Sequence, residues 1–180
     1  MNGKLELIIG NMFSGKTSEL IRRINREKSI NKRILVINYH LDNRYSADSI
    51  STHDNTQIKC LKVSSLLQIE QSVIESHDSF FIDEGQFFPD LYLFVSVIVE
   101  EHKKHVVVSG LDGDCFRKPF GEIIKLIPIC DTVDKLRAYC NNCNDGTYAP
   151  FSKRINFDKA IVDIGGSDKY IPVCRKHFLC

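Results

Sequence analysis

The chain has 180 residues, 43% hydrophobic and 26% charged, values that suit a soluble globular domain with a real core. Its formal net charge of +1 supplies no excess of either sign, so bulk electrostatics demand neither a nucleic acid nor a membrane partner. No apolar run approaches the ~20 residues of a membrane helix, and Leu5–Ile9 is too short for a secretory signal core. The expected location is therefore cytoplasmic, where the seven cysteines stay reduced and are open to roles other than disulfides.

In chain order, Leu5–Ile9 reads as a buried strand bounded by Gly10. A helix is predicted from Thr17 to about Ser29, with Leu20, Ile21 and Ile24 on one face and Arg22, Arg23 and Arg26 turned away. Ile34–Ile37 is a second buried strand, and the polar residues 39–57 read as a loop. Leu66, Leu67, Ile69, Val73 and Ile74 suggest a helix capped by Ser64 or Ser65. A third strand runs from Phe80 to Asp83, and Pro89 suits the first turn of a helix reaching about Lys103. Val106–Val108 is a fourth strand ending at Ser109-Gly110. Short strands alternating with helices predict an α/β domain around a parallel sheet, residues 1–139. From residue 140 to residue 180 cysteines, asparagines and glycines replace the long apolar runs, which marks a second, smaller unit.

Gly10-Asn11-Met12-Phe13-Ser14-Gly15-Lys16-Thr17 fits the phosphate-loop pattern G-x-x-x-x-G-K-[ST] and lies between a predicted strand and a predicted helix. Glycines let the backbone curl so that its N–H groups face phosphate oxygens. Lys16 adds a cation, Thr17 offers a hydroxyl to Mg²⁺, and the helix N-terminus favours the anion. The plain alternative is a glycine turn that merely joins strand to helix.

Asp83 and Glu84 follow the apolar run Phe80-Phe81-Ile82. In phosphate-loop proteins a second strand ends in an aspartate that helps hold Mg²⁺, and Asp83 has that position. Successive residues at a strand end point to different sides, so Glu84 is free to face an incoming nucleophile; the alternative is a pair of solvated loop acids. As a base Glu84 serves either a hydrolase, orienting water in an ATPase coupled to nucleic acid, or a kinase, taking a proton from a hydroxyl. The chain has no room for a second motor domain and no basic stripe, which favours the kinase.

Cys140-x-x-Cys143 and Cys174-x-x-His177 are two tight pairs thirty residues apart. Four such ligands suit tetrahedral Zn²⁺ in a closed, structural site, stapling a lobe too thin to fold alone. Cys60, Cys115, Cys130 and Cys180 have no such partners and read as packing residues.

Together these elements resemble the type II thymidine kinase family of animal cells, bacteria and poxviruses, and look most like its poxviral members. The resemblance rests on MFSGKT, DNRY at 42–45, STHD at 51–54, IDEGQFFPD, GLDGD…FRKPF, FSKRI, IGGSDKY and VCRKH, in that order, between residues 8 and 178. It implies a RecA-like phosphate-loop domain followed by a zinc lobe, and transfer of the γ-phosphoryl group of Mg-ATP to the 5′-hydroxyl of thymidine. It also implies that Gly10–Thr17 cradle phosphates, Asp83 serves Mg²⁺ and Glu84 accepts the proton. A lasso loop, about Arg154–Tyr170, would close over the nucleoside, with the main chain of Ile161, Val162, Asp163, Ile164 and Gly165 reading thymine and Tyr170 beside it. The family is usually a homotetramer inhibited by the end-product triphosphate.

The chain departs from the family at several points. Proline often stands at the position of Asn11, where a side chain is expected to matter little. His177 replaces a frequent cysteine as fourth zinc ligand. Cys115 holds the position of a phenylalanine that usually faces the substrate, so either Phe116 lines the nucleoside site through a shifted loop or that wall is lost. The link between Cys143 and Phe151 is longer than usual. Arg44, Arg117 and Lys118 are candidate phosphate contacts, the alternative being ordinary surface charges.

Overall fold

A computed structural model describes residues 2–42, 49–51, 57–155 and 168–180. The chain opens with β1 (Lys4–Gly10), α1 (Lys16–Lys28) and β2 (Ile34–Tyr39), followed by the short strands β3 (Ser49–Ser51), β4 (Gln57–Lys59) and β5 (Leu61–Val63). Then come α2 (Gln71–Ser76), β6 (Ser79–Ile82), α3 (Leu91–Glu100), β7 (His105–Gly110) and β8 (Thr132–Leu136). Six strands form one sheet in the order β5-β2-β6-β7-β1-β8, and every pairing in it is parallel. Their carboxyl ends therefore meet at one edge, the edge where open α/β sheets bind ligands.

Alternation along the central strands decides which face each side chain covers. Leu5, Leu7 and Ile9 of β1, Phe80 and Ile82 of β6, and Val106 and Val108 of β7 pack with Phe94, Val95 and Ile98 of α3. Ile8, Phe81 and Val107 point the other way, onto Leu20, Ile21 and Ile24 of α1. The predicted apolar face of α1 is the buried one. Arg23, expected to turn away, instead reaches the sheet, where its guanidinium bonds Glu6 of β1 at 2.5 Å and also Asp134 of β8.

The structure corrects four local expectations. Residues 39–57 contain strand as well as loop, because β3 pairs antiparallel with β4. The lone apolar residues Ile50 and Ile58 face each other there and pack under α1. The helix expected over 66–74 is a 3₁₀ turn (Leu66–Gln68) and α2, broken at extended Ile69 (φ −72°, ψ 120°). The Ser65 hydroxyl donates to Asp90 rather than capping a helix. Pro89 precedes α3 instead of opening it, and the helix stops at Glu100, shortly before left-handed Lys103 (φ 55°). β8 was not expected: three of its five residues are polar and its exposed side chains mark it as the sheet's edge.

The remaining chain forms the antiparallel pairs β9 (Ala138–Tyr139) with β10 (Tyr148–Ala149), and β11 (Phe151–Arg154) with β12 (Tyr170–Val173), then α4 (Arg175–Leu179). A separate apolar cluster of Ala138, Cys140, Ala149, Val173 and Cys174 lies between them. Among the described residues no helix is long and apolar enough to cross a membrane.

Candidate functional site

The loop between β1 and α1 needs its glycines. Gly10 has φ 151°, and a Cβ there would lie 2.3 Å from the Leu136 carbonyl oxygen; Gly15 caps α1 in the left-handed region at φ 84°. Phe13 is also left-handed (φ 64°). Inside the loop the Asn11 carbonyl accepts from the Ser14 hydroxyl at 2.8 Å and the Lys16 ammonium at 2.7 Å.

Lys16 and Thr17 form the first turn of α1, at the amino end where the helix dipole is positive. The Thr17 hydroxyl donates to Asp83 Oδ2 at 3.1 Å, although β7 separates β1 from β6 in the sheet. A hydroxyl and a carboxylate oxygen side by side are hard donors of the kind Mg²⁺ takes. Asp83 follows β6, its N–H continuing the ladder to the Ile37 carbonyl at 2.9 Å. Glu84 adopts the left-handed conformation (φ 53°, ψ 40°), unfavourable by roughly 1–3 kcal/mol for a residue with a Cβ. That turn sends the adjacent acids to different partners: Asp83 to Thr17, and Glu84 Oε2 to the amide nitrogen of Gln86 at 2.5 Å. Both acids are buried, at 4% and 8% exposure.

The structure also brings together groups that the sequence pattern did not single out. Asn11, whose side chain was expected to matter little, is buried and joins the Gly10–Thr17 loop to β9 and β11. Its Oδ1 accepts from the Ala138 N–H at 3.3 Å and its Nδ2 donates to the Phe151 carbonyl at 3.5 Å. Beside it the Met12 N–H donates to the Ser152 hydroxyl at 3.0 Å. These contacts span about 130 residues of sequence, so no local periodicity announces them.

In the turn after β7, Asp114 Oδ1 accepts from the N–H groups of Phe116 and Lys118 at 2.8 and 2.9 Å. Cys115 is half-buried and Phe116 is 55% exposed. Burial pushes the Cys115 thiol up. Arg117 turns towards the second unit, its guanidinium 4.5 Å from the Phe178 ring centre. Tyr170 is buried and its hydroxyl accepts from Arg154 at 2.5 Å. Arg44, Ile161, Val162, Asp163, Ile164 and Gly165 lie outside the described residues.

Cys140, Cys143, Cys174 and His177 converge, with all their ligand atoms within 4.8 Å of one another. Cys140 follows β9, Cys174 follows β12, and His177 lies in α4. His177 Nδ1 stands 3.5, 3.3 and 3.4 Å from the sulfurs of Cys140, Cys143 and Cys174, and Cys143 Sγ is 3.8 Å from Cys174 Sγ. Tetrahedral zinc with its usual bond lengths requires edges of about 3.5 Å from nitrogen to sulfur and about 3.8 Å between sulfurs. The four residues fit that ion. Burial pushes the Cys140 thiol up, but the N–H groups of Cys174 and Cys143 and the His177 ring outweigh it and bring it down to about 6, whereas burial and the Cys140 and Cys174 sulfurs push Cys143 up to about 11. Of the other cysteines, Cys60 and Cys130 pack against the sheet's clusters, whereas Cys180 is exposed.

The thymidine kinase family model matches residues 3–178. Thymidine kinase a of Arabidopsis thaliana is 41% identical over 99% of this chain and 76% of its own length. The thymidine kinase of Myxoma virus (strain Uriarra) is 44% identical over 97% of this chain and 95% of its own. The cytosolic thymidine kinase of Cricetulus griseus is 42% identical over 96% of this chain and 72% of its own. The poxviral relative is matched over nearly its whole length, whereas the plant and animal relatives extend beyond the match. The phosphate-loop turn, the divided acids and the Cys₃His cluster occur in one chain matched nearly end to end, and this protein belongs to the thymidine kinase family.

Proposed function

We propose that the protein transfers the γ-phosphoryl group of ATP to the 5′-hydroxyl of thymidine, giving dTMP and ADP, and that Asp83 and Glu84 have separate parts in it. The carrying observation is the split between the two acids: Asp83 is bonded to Thr17 of the phosphate-loop helix, and Glu84 to Gln86 on the other side. In this reading the N–H groups of Gly10–Thr17 and the Lys16 ammonium hold the phosphates, and Thr17 and Asp83 would hold Mg²⁺. The ion, when bound, neutralises charge between the β- and γ-phosphates. The Glu84 carboxylate takes the proton of the 5′-hydroxyl. The hydroxyl oxygen then bonds to the γ-phosphorus as the bond to the bridging oxygen breaks, leaving ADP. Tyr170, the main chain of Ile161, Val162, Asp163, Ile164 and Gly165, and either Cys115 or Phe116 line the nucleoside.

The same reading divides the chain into a catalytic unit, 1–139, and a zinc-held lobe, 140–180. Separate apolar clusters support that division, with β9 packing on the lobe side. A cytoplasmic location agrees with seven free thiols, and a homo-oligomer, tetrameric by resemblance, extends the reading.

A Mg²⁺ titration of two variants at saturating thymidine tests the division of labour. Glu84→Gln is expected to lower kcat by roughly 10²–10⁴-fold at an unchanged Mg²⁺ requirement. Asp83→Asn is expected to raise the Mg²⁺ requirement and weaken Mg-ATP relative to metal-free ATP. Equal Mg²⁺ dependence in both variants would refute it. ADP release that needs DNA rather than thymidine would return the ATPase reading.

A further inference from the structure

Gln86 is 3% exposed and has no part in the scheme above. Both ends of its amide are engaged. Oε1 accepts the Leu111 N–H at 2.9 Å, from the residue that follows β7, and Nε2 donates to Glu84 Oε2 at 2.5 Å. A side-chain amide has two ends of nearly equal shape, so its orientation must be assigned from its partners. Here the Leu111 N–H is a donor only, which requires oxygen on that side and leaves the NH₂ group facing the Glu84 carboxylate.

The surroundings hold Gln86 from two further directions. A Cβ at Gly121, which has φ 61°, would come 2.1 Å from the Gln86 carbonyl oxygen, and one at Gly110 would come 2.4 Å from Oε1. Glycine at both positions lets two backbone segments close on this one residue. Glu84, in contrast, sits at a strained left-handed turn and carries a long side chain with three rotatable bonds. Proton abstraction needs its oxygen at hydrogen-bond distance from the hydroxyl it serves, about 2.6–3.2 Å, and held to within about 0.5 Å of that placement.

We infer that Gln86 is a positioning residue for phosphoryl transfer: it clamps the Glu84 carboxylate in one rotamer by anchoring it to the end of β7 through Leu111. The inference rests on Glu84 being the proton acceptor. Gln86 acts only through Glu84, so its removal costs turnover while Glu84 is present and costs nothing more once Glu84 is gone.

A double-mutant cycle tests this, with kcat and both KM values measured for wild type, Gln86→Met, Glu84→Gln and the pair. Methionine keeps the length and burial but cannot donate. Gln86→Met is expected to lower kcat about 10-fold, with thymidine and ATP KM within about 2-fold, because the loss falls on the transition state alone. Added to Glu84→Gln it is expected to change kcat less than about 2-fold, the non-additivity of groups that act as one unit. Gln86→Asn, too short to span Leu111 and Glu84, should resemble methionine. Additive losses, or KM values that rise with the fall in kcat, would mean that Gln86 supports the fold rather than the base. Near-wild-type turnover in Gln86→Met would also overturn the inference. Near-wild-type turnover in Glu84→Gln would overturn the base assignment itself, and the inference with it.

Discussion

The sheet and the lobe bury themselves by different means. On the sheet, Leu5, Leu7, Phe80, Ile82, Val106 and Val108 lie fully buried against α3, and Ile8, Phe81 and Val107 against α1. In the lobe the cluster's buried members are Ala138, Cys140, Ala149, Val173 and Cys174, and two of those are cysteines of the converging Cys₃His set. Partly buried Phe151, Ile171 and Phe178 pack against that cluster, yet its fully enclosed members are small, and apolar burial stabilises by roughly 25 cal/mol per Å². A metal cross-link through Cys140, Cys143, Cys174 and His177 would add stability where the apolar cluster is smaller. The difference teaches that two apolar clusters of one chain can answer to different chemistry, broad burial in one and converging ligands in the other.

Metal removal is the largest way to break the comparison. Binding at a structural zinc site contributes on the order of 10 kcal/mol, so a strong chelator is expected to unfold the lobe and abolish thymidine phosphorylation. The sheet should still unfold cooperatively. Elemental analysis of chelator-free protein should find about one zinc per chain through Cys140, Cys143, Cys174 and His177. Hydrogen exchange that stays slow in residues 138–155 after chelation would show that the lobe's own packing suffices.

The converse experiment empties the core of the sheet. Phe81 is fully buried between strand and α1, and Phe81→Ala is expected to cost about 3–5 kcal/mol in urea unfolding. Zinc content of the folded fraction should stay at the wild-type level. Parallel loss of zinc would mean that the two units fold as one.

A pH scan separates them more gently. His105 on β7 faces Glu27 of α1 at 2.5 Å and Glu6 of β1 at 3.4 Å, with Lys4 and Arg23 also on Glu6. Burial pushes the imidazole down, but the two carboxylates outweigh it and raise it to about 9. Glu6 is held below the usual carboxylate range, chiefly by His105, and Glu27 is lowered by the same partner against its burial. A raised histidine stabilises fully below its unfolded value of about 6.5 and loses that contribution as pH rises to about 9; the lowered acids stabilise above about 4.5 and lose it on acidification. The sheet should thus be most stable between about pH 4.5 and 6.5, then lose on the order of 2 kcal/mol by pH 9.5. His105→Gln should flatten that alkaline fall in Tm; an unchanged slope would locate the titration elsewhere.

The smallest effect lies at the seam. Asn11→Ala removes two buried hydrogen bonds to Ala138 and Phe151 and is expected to cost about 1–2 kcal/mol. The loss should surface as a several-fold rise in ATP KM with zinc retained, because the same residue's carbonyl holds Lys16. An unaltered ATP KM would mean the lobe and the phosphate loop only touch.

Much of the fold was open to reading because its causes are local. The apolar runs that became β1, β2, β6 and β7, the amphipathic period of α1 and the phosphate-loop spacing are all contained within a dozen residues. The expectation for residues 39–57 failed for the opposite reason. Ile50 and Ile58 are single apolar residues among polar ones, and only their pairing beneath α1 makes strand of them. Likewise the broken helix at 66–76 reflects Asp90, which accepts from the Ser65 hydroxyl and the Leu67 N–H at the turn.

By itself the sequence determined the donor chemistry: a glycine-rich loop with Lys16 and Thr17, two adjacent acids, and four soft ligands in two close pairs. Residue type and short spacing suffice for those, since each ligand pair or loop is built within one turn. Tertiary structure alone decided how they meet. It set Thr17 against Asp83 across an intervening strand, turned Glu84 into the left-handed region towards Gln86, and moored Asn11 to the lobe. For Thr17–Asp83 and Asn11–Ala138 the physical reason is the same, whereas the Glu84–Gln86 bond spans two residues and depends on the local turn. A parallel sheet brings the carboxyl ends of distant strands to one edge, and a hydrogen bond between residues tens of positions apart leaves no periodicity in the chain that forms it.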